Sequence, residues 1–415
     1  MFIYCKRNLT ASKSVKPFVY RKRLLRRKGA FSLNSLSKKQ ILSTAKDFFA
    51  RGDMILLVMS IVASIFGVVV IASATASTKS MQYVYVQLLA MVIGLGLYVF
   101  FTYVDIDTLA DNWPILTVFN IALMSSLIFF GEAGDTGNTG WLRFFGIGVQ
   151  PSEVVKVSYL IVMAKHISYL KARNTLNDFT SVVGLALHFG AIFGLIIVVS
   201  QDLGSATIFF MIFIFQLFAA GFSFKWFMAG FAAILAVLPI AWTFVLKEYQ
   251  RQRLLVPYIP SIDPDNSGIN WQANQSKIAL ASGQLTGTGL YNGPQSQSDR
   301  AGKHTDFIFS VIGEELGMIA CIICILLLLA IALRCIYVGM HSGTDLGMLV
   351  CVGVAGSILY QMFENTGMCM GITPVIGITL PFFSYGGSSI VSIFAAVGIV
   401  SGIKYKRKPT QYSLY

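Results

Sequence analysis

Charged residues are scarce in this 415-residue sequence, at 12%, whereas hydrophobic residues make up 55%. A soluble globular protein carries about 25% charged residues, so the composition excludes an ordinary soluble domain. Many apolar runs approach the roughly 20 residues that a helix needs to cross a bilayer. Because backbone groups inside a bilayer must be hydrogen-bonded within the protein, the sequence predicts a polytopic helical membrane protein.

Cysteine is also scarce, and most of the six cysteines lie inside apolar segments. Cys321 and Cys324 have the spacing of a redox pair, but their run is apolar and long enough to span a membrane, which favours core packing. The sequence shows no disulfide framework, no internal repeat and no cleavable signal peptide. The missing repeat counts against a transporter, because many transporters are built from repeated halves.

Basic residues are concentrated at the N terminus. Residues 1–52 contain 14 of the 32 lysines and arginines and a single acidic residue, Asp47. This composition predicts a basic cytoplasmic tail that contacts anionic membrane lipids, with an interfacial helix at 35–50. Nucleic-acid binding would need the same charge, but the adjoining membrane segments disfavour it, so we predict no nucleic-acid partner.

Ten apolar segments follow this tail. An even number places both termini on one side, and because both ends are basic, the positive-inside rule places them in the cytoplasm. We therefore predict an all-α fold: a polytopic membrane protein of about ten transmembrane helices over 53–405. A large extracytoplasmic loop, 247–305, precedes helix 8, and 406–415 form a cytoplasmic tail. The predicted segments are 54–74, 83–104, 113–130, 152–170, 181–200, 204–222, 225–246, 307–333, 345–364 and 385–403.

The loop 131–150 carries Trp141 and Arg143 and leads into a helix start that contains Glu153 and Lys156. The last two residues are three positions apart and can form an ion pair on one helix face. Alternatively, they line a polar cavity in which the Lys156 ammonium binds an anionic group. Both interpretations place charge at the outer end of the fourth segment.

Two further polar features lie between apolar segments. Asp202 stands in a tight turn, where an aspartate is more typical of a helix cap than of a ligand. The segment 373–389 is apolar but interrupted by proline and glycine. It is therefore either a cavity-lining, re-entrant segment or a tight packing turn.

The loop 247–305 is too long for a simple connector. It supplies three candidate cations: Arg251, Arg253 and Lys277. A glycine pair later in the loop lacks the lysine and the strand context of a nucleotide-binding loop. Its backbone amides would suit a phosphate or a sugar. Because functional residues concentrate in loops held by a rigid scaffold, we expect the working face to be extracytoplasmic.

Three carboxylates stand where this loop meets the eighth segment. Asp306 precedes the segment, and Glu314 and Glu315 lie in its first turns, where charges are costly. If Arg334 marks the cytoplasmic edge of the membrane, the glutamates lie near the outer edge and Asp306 about 12 Å farther out. We expect Asp306 to face a water-filled cavity. We expect the glutamates, on different helix faces, to hold that cavity in shape through buried pairs.

The same helix carries small residues near its Asp306 face, at Ser310, Gly313 and Gly317. A face of small residues allows close packing, and we predict that it forms a groove for a lipid tail. His304 is expected to cap the loop rather than to tune Asp306.

Five motifs together resemble the SEDS family, the RodA/FtsW/SpoVE type of peptidoglycan glycosyltransferase, over about residues 50–405. They occur in the family's order. The motifs are Gln150-Pro151-Ser152-Glu153 with Lys156, Asp202-Leu203-Gly204, Gln275-Ser276 with Ile278-Ala279, His304-Thr305-Asp306-Phe307-Ile308-Phe309 with Gly313-Glu314-Glu315-Leu316-Gly317, and Leu380-Pro381-Phe382 with Ser384-Tyr385-Gly386-Gly387-Ser388.

Two departures from the family pattern affect loops near the site. The family has Leu-Pro-Glu shortly before His-Thr-Asp, whereas this chain has Arg300-Ala301-Gly302-Lys303, a flexible and basic approach. The family has proline before the aspartate at 202, whereas this chain has Gln201. These departures bear on loop positions more than on the reaction.

The resemblance implies a bacterial enzyme that polymerises lipid II on the outer face of the cytoplasmic membrane, in elongation, division or sporulation. It also implies a class B penicillin-binding transpeptidase as partner, and it places Asp306 at the essential aspartate. A reaction with one inversion fits a single general base, and Asp306 would accept the proton of the acceptor hydroxyl. A lipid II flippase or transporter, and a non-catalytic scaffold of a cell-wall synthase complex, are the alternative functions.

The leaving diphosphate would need cations nearby. The predicted substrate-binding residues are Arg143, Lys156, Arg251, Arg253, Lys277, Trp141 and Ser384. The residues predicted to shape the cavity are Glu153, Asp202, His304, Glu314 and Glu315. A divalent cation, Mg²⁺ or Mn²⁺, stays open: the sequence has no dedicated cage, so Asp306 and the substrate diphosphate would have to hold it.

Overall fold

The structure, a computed structural model, describes residues 46–78, 81–132, 140–144, 147–265, 268, 270–298 and 302–406. From Asp47 onward these residues belong to one compact unit. Residues 1–45 and 407–415 lie outside the described ranges, so the predicted tails and most of the predicted interfacial helix stay predictions.

Helices make up most of the described chain. Short π-helical turns extend α7 to Ser200 and α9 to Val245. The helices are α1 (Met54–Ala74), α2 (Gln82–Tyr103), α3 (Ile106–Asp111), α4 (Trp113–Ser125), α5 (Leu127–Phe130), α6 (Pro151–Ala172), α7 (Phe179–Leu195), α8 (Leu203–Ala220), α9 (Phe224–Ile240), α10 (Glu248–Leu255), α11 (Trp271–Gly283), α12 (Ile308–Met340), α13 (Asp345–Met370) and α14 (Gly387–Tyr405).

Nine helical spans within the described ranges are long and apolar enough to cross a membrane. Helix α6 is a further long helix of 22 residues, and charged residues such as Glu153 and Lys156 lower its hydropathy. These ten helices begin within two residues of the ten predicted segments. The prediction of a polytopic helical membrane protein is confirmed. Helices α10 and α11 occupy part of the predicted loop 247–305, and the side of the membrane on which it lies stays a prediction.

One small hairpin departs from the all-helical prediction. Strand β1 (Leu142–Phe144) pairs antiparallel with β2 (Ile147–Val149), with Arg143 opposite Gly148. Strands this short leave little alternation for a sequence pattern to detect, and their glycine-rich surroundings indicate only a loop. The hairpin leads directly into α6, so it places Trp141 and Arg143 beside the N-terminal end of that helix.

Helix α12 differs from the prediction in its middle and at its end. Gly317 interrupts the helix with a φ of 79°, a conformation that glycine adopts without steric cost. The helix continues to Met340, beyond the predicted end of the eighth segment at 333. The Arg334 charge is matched by Asp53, whose Oδ2 lies 3.0 Å from Nε. A paired arginine can lie within a helix that continues past it, so the arginine does not end α12.

The small residues of α12 do not form the predicted lipid groove. A side-chain carbon at Gly313 would overlap Leu280, and one at Gly317 would overlap the backbone of Leu285 and Gly287. The small face therefore packs against α11 and the turn that follows it. This close packing holds the N-terminal end of α12 in place.

A fully buried carboxylate, Asp53, joins several helices at their other ends. It caps α1 by accepting a hydrogen bond from the Leu56 amide. The Nε of Arg334 lies 3.0 Å and the Nζ of Lys404 3.5 Å from its Oδ2. The Tyr98 hydroxyl donates to its backbone carbonyl at 2.8 Å. Asp53 thus connects α1, α2, α12 and α14.

Candidate active site

A cavity of about 710 Å³ opens where the N-terminal ends of α2, α6, α8 and α14 meet the segment before α12. Helix N-termini present free amide donors and favour negative charge, so this position suits an anionic ligand. The wall residues come from within 82–86, 141–150, 201–203, 249–254, 304–306 and 375–389.

Asp306 lies in the wall of this cavity, and its backbone is held from two sides. The Nδ2 of Asn365 donates to the Asp306 carbonyl at 2.7 Å. Two residues earlier, the His304 carbonyl accepts a hydrogen bond from the Tyr385 amide at 2.8 Å. The Asp306 carboxylate forms no ion pair with any residue in the described ranges. The backbone is therefore fixed, and the carboxylate faces the cavity.

Asp202 is a second carboxylate in the wall, and it caps α8. Its oxygens accept hydrogen bonds from the Ser205 amide at 3.0 Å, the Ser205 hydroxyl at 2.7 Å and the Gln150 amide nitrogen at 2.9 Å. Three donors leave this carboxylate little capacity for a ligand. Gln201, just before it, has a φ of 53°, which a proline cannot adopt. The backbone at position 201 therefore has a conformation that the proline of the family pattern could not adopt.

Burial raises the pKa of the Asp306 carboxyl to about 6, the Asp202 charge adds to the rise, and Arg253 opposes it. Burial likewise raises the pKa of Asp202, while its hydrogen bonds from Ser205 and Gln150 oppose that rise. A pKa near 6 keeps Asp306 mostly ionised at neutral pH and makes it a stronger base than an exposed aspartate.

Arg253 and Arg251, both on α10, have different surroundings. Arg253 lies in the cavity wall, 6.0 Å from the Tyr249 ring centroid, and forms no ion pair within the described ranges. Arg251 donates instead to the carbonyls of Leu246 and Thr243, at 3.0 Å each. It closes the turn between α9 and α10 and does not line the cavity. Arg253 therefore lies in the cavity wall and Arg251 does not, and the substrate-binding role of Arg251 stays a prediction.

His304 lies in the cavity wall between two tyrosines. Its ring centroid is 4.7 Å from that of Tyr83 and 5.4 Å from that of Tyr385. Burial, together with the charge of the neighbouring Lys303, lowers the pKa of His304 to about 4. The ring is thus neutral at physiological pH. It forms part of an aromatic surface of the kind that packs against sugar rings.

The hairpin and the residue before it supply another part of the wall. Trp141 packs over Gly148, and both residues line the cavity together with Arg143. The Nε of Arg143 lies 3.4 Å from a carboxylate oxygen of Glu132, and both side chains are about half exposed. Such an exposed pair is weak, so Arg143 remains available to a stronger anion.

Lys156 is not among the residues of the cavity wall, and its substrate-binding role stays a prediction. Its ammonium is buried and lies 2.6 Å from Glu153. The same Glu153 oxygen accepts a hydrogen bond from the Ser392 hydroxyl at 2.6 Å. The ion-pair interpretation of these two residues therefore describes the structure. Glu153 fixes α6 to α14 behind the cavity.

Ser384 and Lys277 also lie outside the cavity wall, and their substrate-binding roles stay predictions. The buried Ser384 hydroxyl donates to the Thr305 carbonyl at 2.6 Å and accepts from the Leu380 amide at 2.8 Å. It supports the segment that carries Asp306. Lys277 is exposed on α11, with its side chain beside Gly371.

Glu314 and Glu315 are buried, and neither lies in the cavity wall. The predicted buried pairs would require a cation beside each glutamate, but neither glutamate forms an ion pair in the described ranges. Glu314 accepts hydrogen bonds from the Gln295 and Ser296 amides at 2.8 and 2.7 Å. Glu315 accepts one from Gln297 at 3.3 Å. Hydrogen-bond donors from residues 295–297 thus occupy the positions predicted for cations.

Several wall residues were not predicted, above all Tyr83, Tyr249 and Tyr385. Each tyrosine stands beside an apolar segment, where an aromatic residue usually marks the membrane interface. Their convergence depends on how the helices pack, and a single sequence carries no signal for that. The predicted cavity-lining role of 373–389 does agree with the structure, since residues such as Ile376 and Gly386 lie in the wall.

No group of three or more histidine, cysteine, aspartate or glutamate side chains suited to a metal ion occurs among the described residues. Asp202 is occupied by its hydrogen-bond donors, so Asp306 is the open carboxylate of the wall. A single open carboxylate fits a cation only when the substrate supplies the other ligands.

Comparison with known sequences shows which family the chain belongs to. Residues 53–409 match the FtsW/RodA/SpoVE family profile, described as "Cell cycle protein". The peptidoglycan glycosyltransferase MrdB of Escherichia coli K12 is 34% identical over 302 residues, which are 72% of this chain and 79% of MrdB. A probable peptidoglycan glycosyltransferase FtsW of Geobacter metallireducens is 30% identical over 87% of this chain and 96% of its own length.

Comparison with solved structures gives the same fold. A chain from a study of polymerization and crosslinking by a peptidoglycan synthase complex aligns with a TM-score of 0.72 at 24% identity, covering 86% of this chain and 98% of that one. The rod shape determining protein RodA of Thermus thermophilus aligns with a TM-score of 0.64 at 22% identity, again covering 86% and 98%. The arrangement of membrane helices is thus shared with solved proteins.

Proposed function

Because this chain belongs to the FtsW/RodA/SpoVE family, we propose that it is a peptidoglycan glycosyltransferase that polymerises lipid II into β-1,4 glycan strands. The observation that carries this proposal is the open Asp306 carboxylate, which faces a 710 Å³ cavity also lined by Arg253. A base and a cation in one cavity are what transfer from a diphosphate donor requires.

The reaction joins two lipid-linked sugars. The acceptor's 4-hydroxyl attacks the anomeric carbon of the donor, the bond from that carbon to the diphosphate oxygen breaks, and the configuration inverts once. Asp306 accepts the hydroxyl proton, and undecaprenyl diphosphate leaves with the bonding electrons. No covalent intermediate is needed, so a second carboxylate in a nucleophilic role is not required.

Arg253 is the residue we assign to the leaving diphosphate, because its guanidinium has no acidic partner in the described ranges. Arg143, also in the cavity wall, provides a second cation once the substrate displaces Glu132. The tyrosines beside His304, together with Trp141, offer flat surfaces for the sugar rings.

A divalent cation, Mg²⁺ or Mn²⁺, would be held by the substrate diphosphate with Asp306 as its protein ligand. It would supply further neutralisation of the leaving charge. The three hydrogen bonds to Asp202 leave that residue out of such a site. Loss of activity in EDTA, restored by Mg²⁺, would support the cation, and full activity in EDTA would remove it from the proposal.

The protein is a multi-pass membrane protein. We further propose that it lies in a bacterial cytoplasmic membrane with both termini in the cytoplasm, that its cavity opens on the outer face, and that a class B penicillin-binding transpeptidase is its partner. The basic tail supports this orientation. Labelling of single cysteines introduced at 141 and 345 in whole cells would test it, since only the residue at 141 should react with an impermeant reagent.

The decisive experiment reconstitutes the purified protein in liposomes with lipid II, with and without its cognate transpeptidase. We expect glycan strands in gel electrophoresis. Lipid II translocation without polymer would instead identify a flippase. Polymer that forms only from the partner's own activity would identify a scaffold.

A further inference from the structure

Lys303 immediately precedes the His304-Thr305-Asp306 sequence, in the stretch that the sequence predicts to be flexible. The structure corrects this prediction for Lys303, which is 3% exposed. Its Nζ donates to the Ser77 hydroxyl at 2.9 Å and to the carbonyls of Ser296 and Ser298 at 2.9 and 2.5 Å. Three oxygen acceptors match the three protons of an ammonium group.

The acceptors of Lys303 belong to two separate parts of the chain. Ser77 lies in the short turn Ala76–Thr78 that follows α1. Ser296 and Ser298 lie in the turn 295–298, which Glu314 holds from its other side through the Gln295 and Ser296 amides. A buried cation before α12 and a buried anion in its first turns therefore hold the same turn.

The connection from Lys303 to Asp306 is short. The Gly302 carbonyl accepts hydrogen bonds from the Thr305 amide at 3.1 Å and the Phe307 amide at 3.0 Å. Residues 302–307 thus form one hydrogen-bonded turn, and displacement of Lys303 displaces that turn as a unit. Since Asp306 has no side-chain ion pair of its own in the described ranges, its direction depends on this backbone.

We propose that Lys303 is a positioning residue for the polymerisation reaction: it anchors the turn 302–307 to α1 and to the turn 295–298, and thereby directs the Asp306 carboxylate into the cavity. This proposal rests on the proposed function and specifies how this chain holds its base without the proline and glutamate of the family pattern. A role in overall folding alone is the competing explanation.

The test compares Lys303→Met and Lys303→Arg with the wild type and with Lys171→Met. Methionine keeps the length of the side chain but removes the donors, and arginine restores donors. Lys171 is a matched control, because it forms a partly exposed pair with Asp345, on helices α6 and α13 and outside the cavity wall. Three quantities are measured: kcat and KM with lipid II, the thermal midpoint, and hydrogen exchange of peptides covering 302–310.

For Lys303→Met we expect kcat to fall about 10- to 100-fold, because a small misplacement of a catalytic group has effects of that size. KM should change less than about 3-fold, and exchange should accelerate at 302–307 while the rest of α12 keeps its protection. Lys303→Arg should recover at least part of kcat. Lys171→Met should match the wild type in all three measurements.

Wild-type kcat in Lys303→Met would overturn the proposal. So would a loss of kcat that follows a lowered thermal midpoint and faster exchange throughout the membrane domain, since that pattern belongs to a folding role. If the wild type itself makes no polymer, the proposed function fails. Exchange then still decides the anchoring role, because unchanged exchange at 302–307 in Lys303→Met contradicts it.

Discussion

Two aspartates at opposite ends of the same helices show how surroundings separate a carboxylate with charged partners from the one proposed as the base. Asp53 is fully buried and lies within 3.5 Å of both Arg334 and Lys404. Asp306 is partly buried, lines a cavity shared with Arg253 and has no ion pair in the described ranges. Both lie near an arginine, but only the second carboxylate is free to accept a proton or bind a ligand.

The other polar groups near the cavity fall between these two cases. Asp202 lines the cavity but accepts three hydrogen bonds, and Glu153 and Lys156 neutralise each other behind it. Saturated groups of this kind cost little in the apolar interior and hold helices together. The Asp306 carboxylate lacks such partners, so burial of its charge raises its pKa. Raised pKa values of this kind are concentrated at functional sites.

Apart from substitutions at Asp306 itself, the largest effect is expected at Asp53. Asp53→Ala leaves Arg334 partly buried without its anion, and breaking a buried pair costs about 3–5 kcal/mol. Unfolding in mild detergent, followed by circular dichroism, measures this loss. The activity of the molecules that remain folded should be preserved. A loss of less than about 1 kcal/mol in the free energy of unfolding would contradict the structural role that distinguishes Asp53 from Asp306.

Arg253→Ala and Arg251→Ala form a matched pair on one helix. Arg253→Ala should lower kcat/KM for lipid II by about 100-fold, the usual cost of removing one donor to a developing anion, with little change in stability. Arg251→Ala should show the reverse pattern, because its guanidinium supports the turn before α10. Equal losses of activity and stability in Arg253→Ala would assign that residue a structural role.

The pH dependence of polymerisation follows from the pKa of Asp306, which burial raises to about 6. The base must be ionised, so kcat/KM should fall about tenfold per pH unit below 6. The same shift makes the folded state bind this proton more tightly than the unfolded chain, so the contribution of Asp306 to stability rises towards low pH and falls as pH rises through about 6. Acid inactivation without unfolding is therefore expected. A rate that is flat down to pH 5 would contradict this assignment.

The smallest effect is expected at the partly exposed pair of Lys171 and Asp345, whose charged atoms lie 2.8 Å apart. Such pairs contribute about 0–1 kcal/mol. Asp345→Asn should therefore leave both polymerisation and the thermal midpoint nearly unchanged. A loss as large as that of Asp53→Ala would show that proximity alone, and not burial, determines the importance of these carboxylates.

The comparison also explains what the sequence could predict. Apolar runs of membrane length locate the helices, because the bilayer fixes that length. The position of Asp306 just before the eighth run marks it as a candidate site residue. The partners of the cations could not be predicted in the same way. Lys156 pairs with Glu153, and Arg251 contacts backbone carbonyls and Glu248. Which partner a long side chain finds is decided by helix packing, and the tyrosines of the cavity wall converge for the same reason.

The most direct test of the account is the polymerisation of lipid II by Asp306→Asn in liposomes, at equal amounts of folded protein. Asparagine keeps the size of the side chain but cannot accept the hydroxyl proton. We expect the same thermal midpoint or a higher one, and a rate about 100- to 10,000-fold below that of the wild type, the range attributed to general base catalysis. Polymerisation at the wild-type rate would show that the open carboxylate of the cavity is not the base.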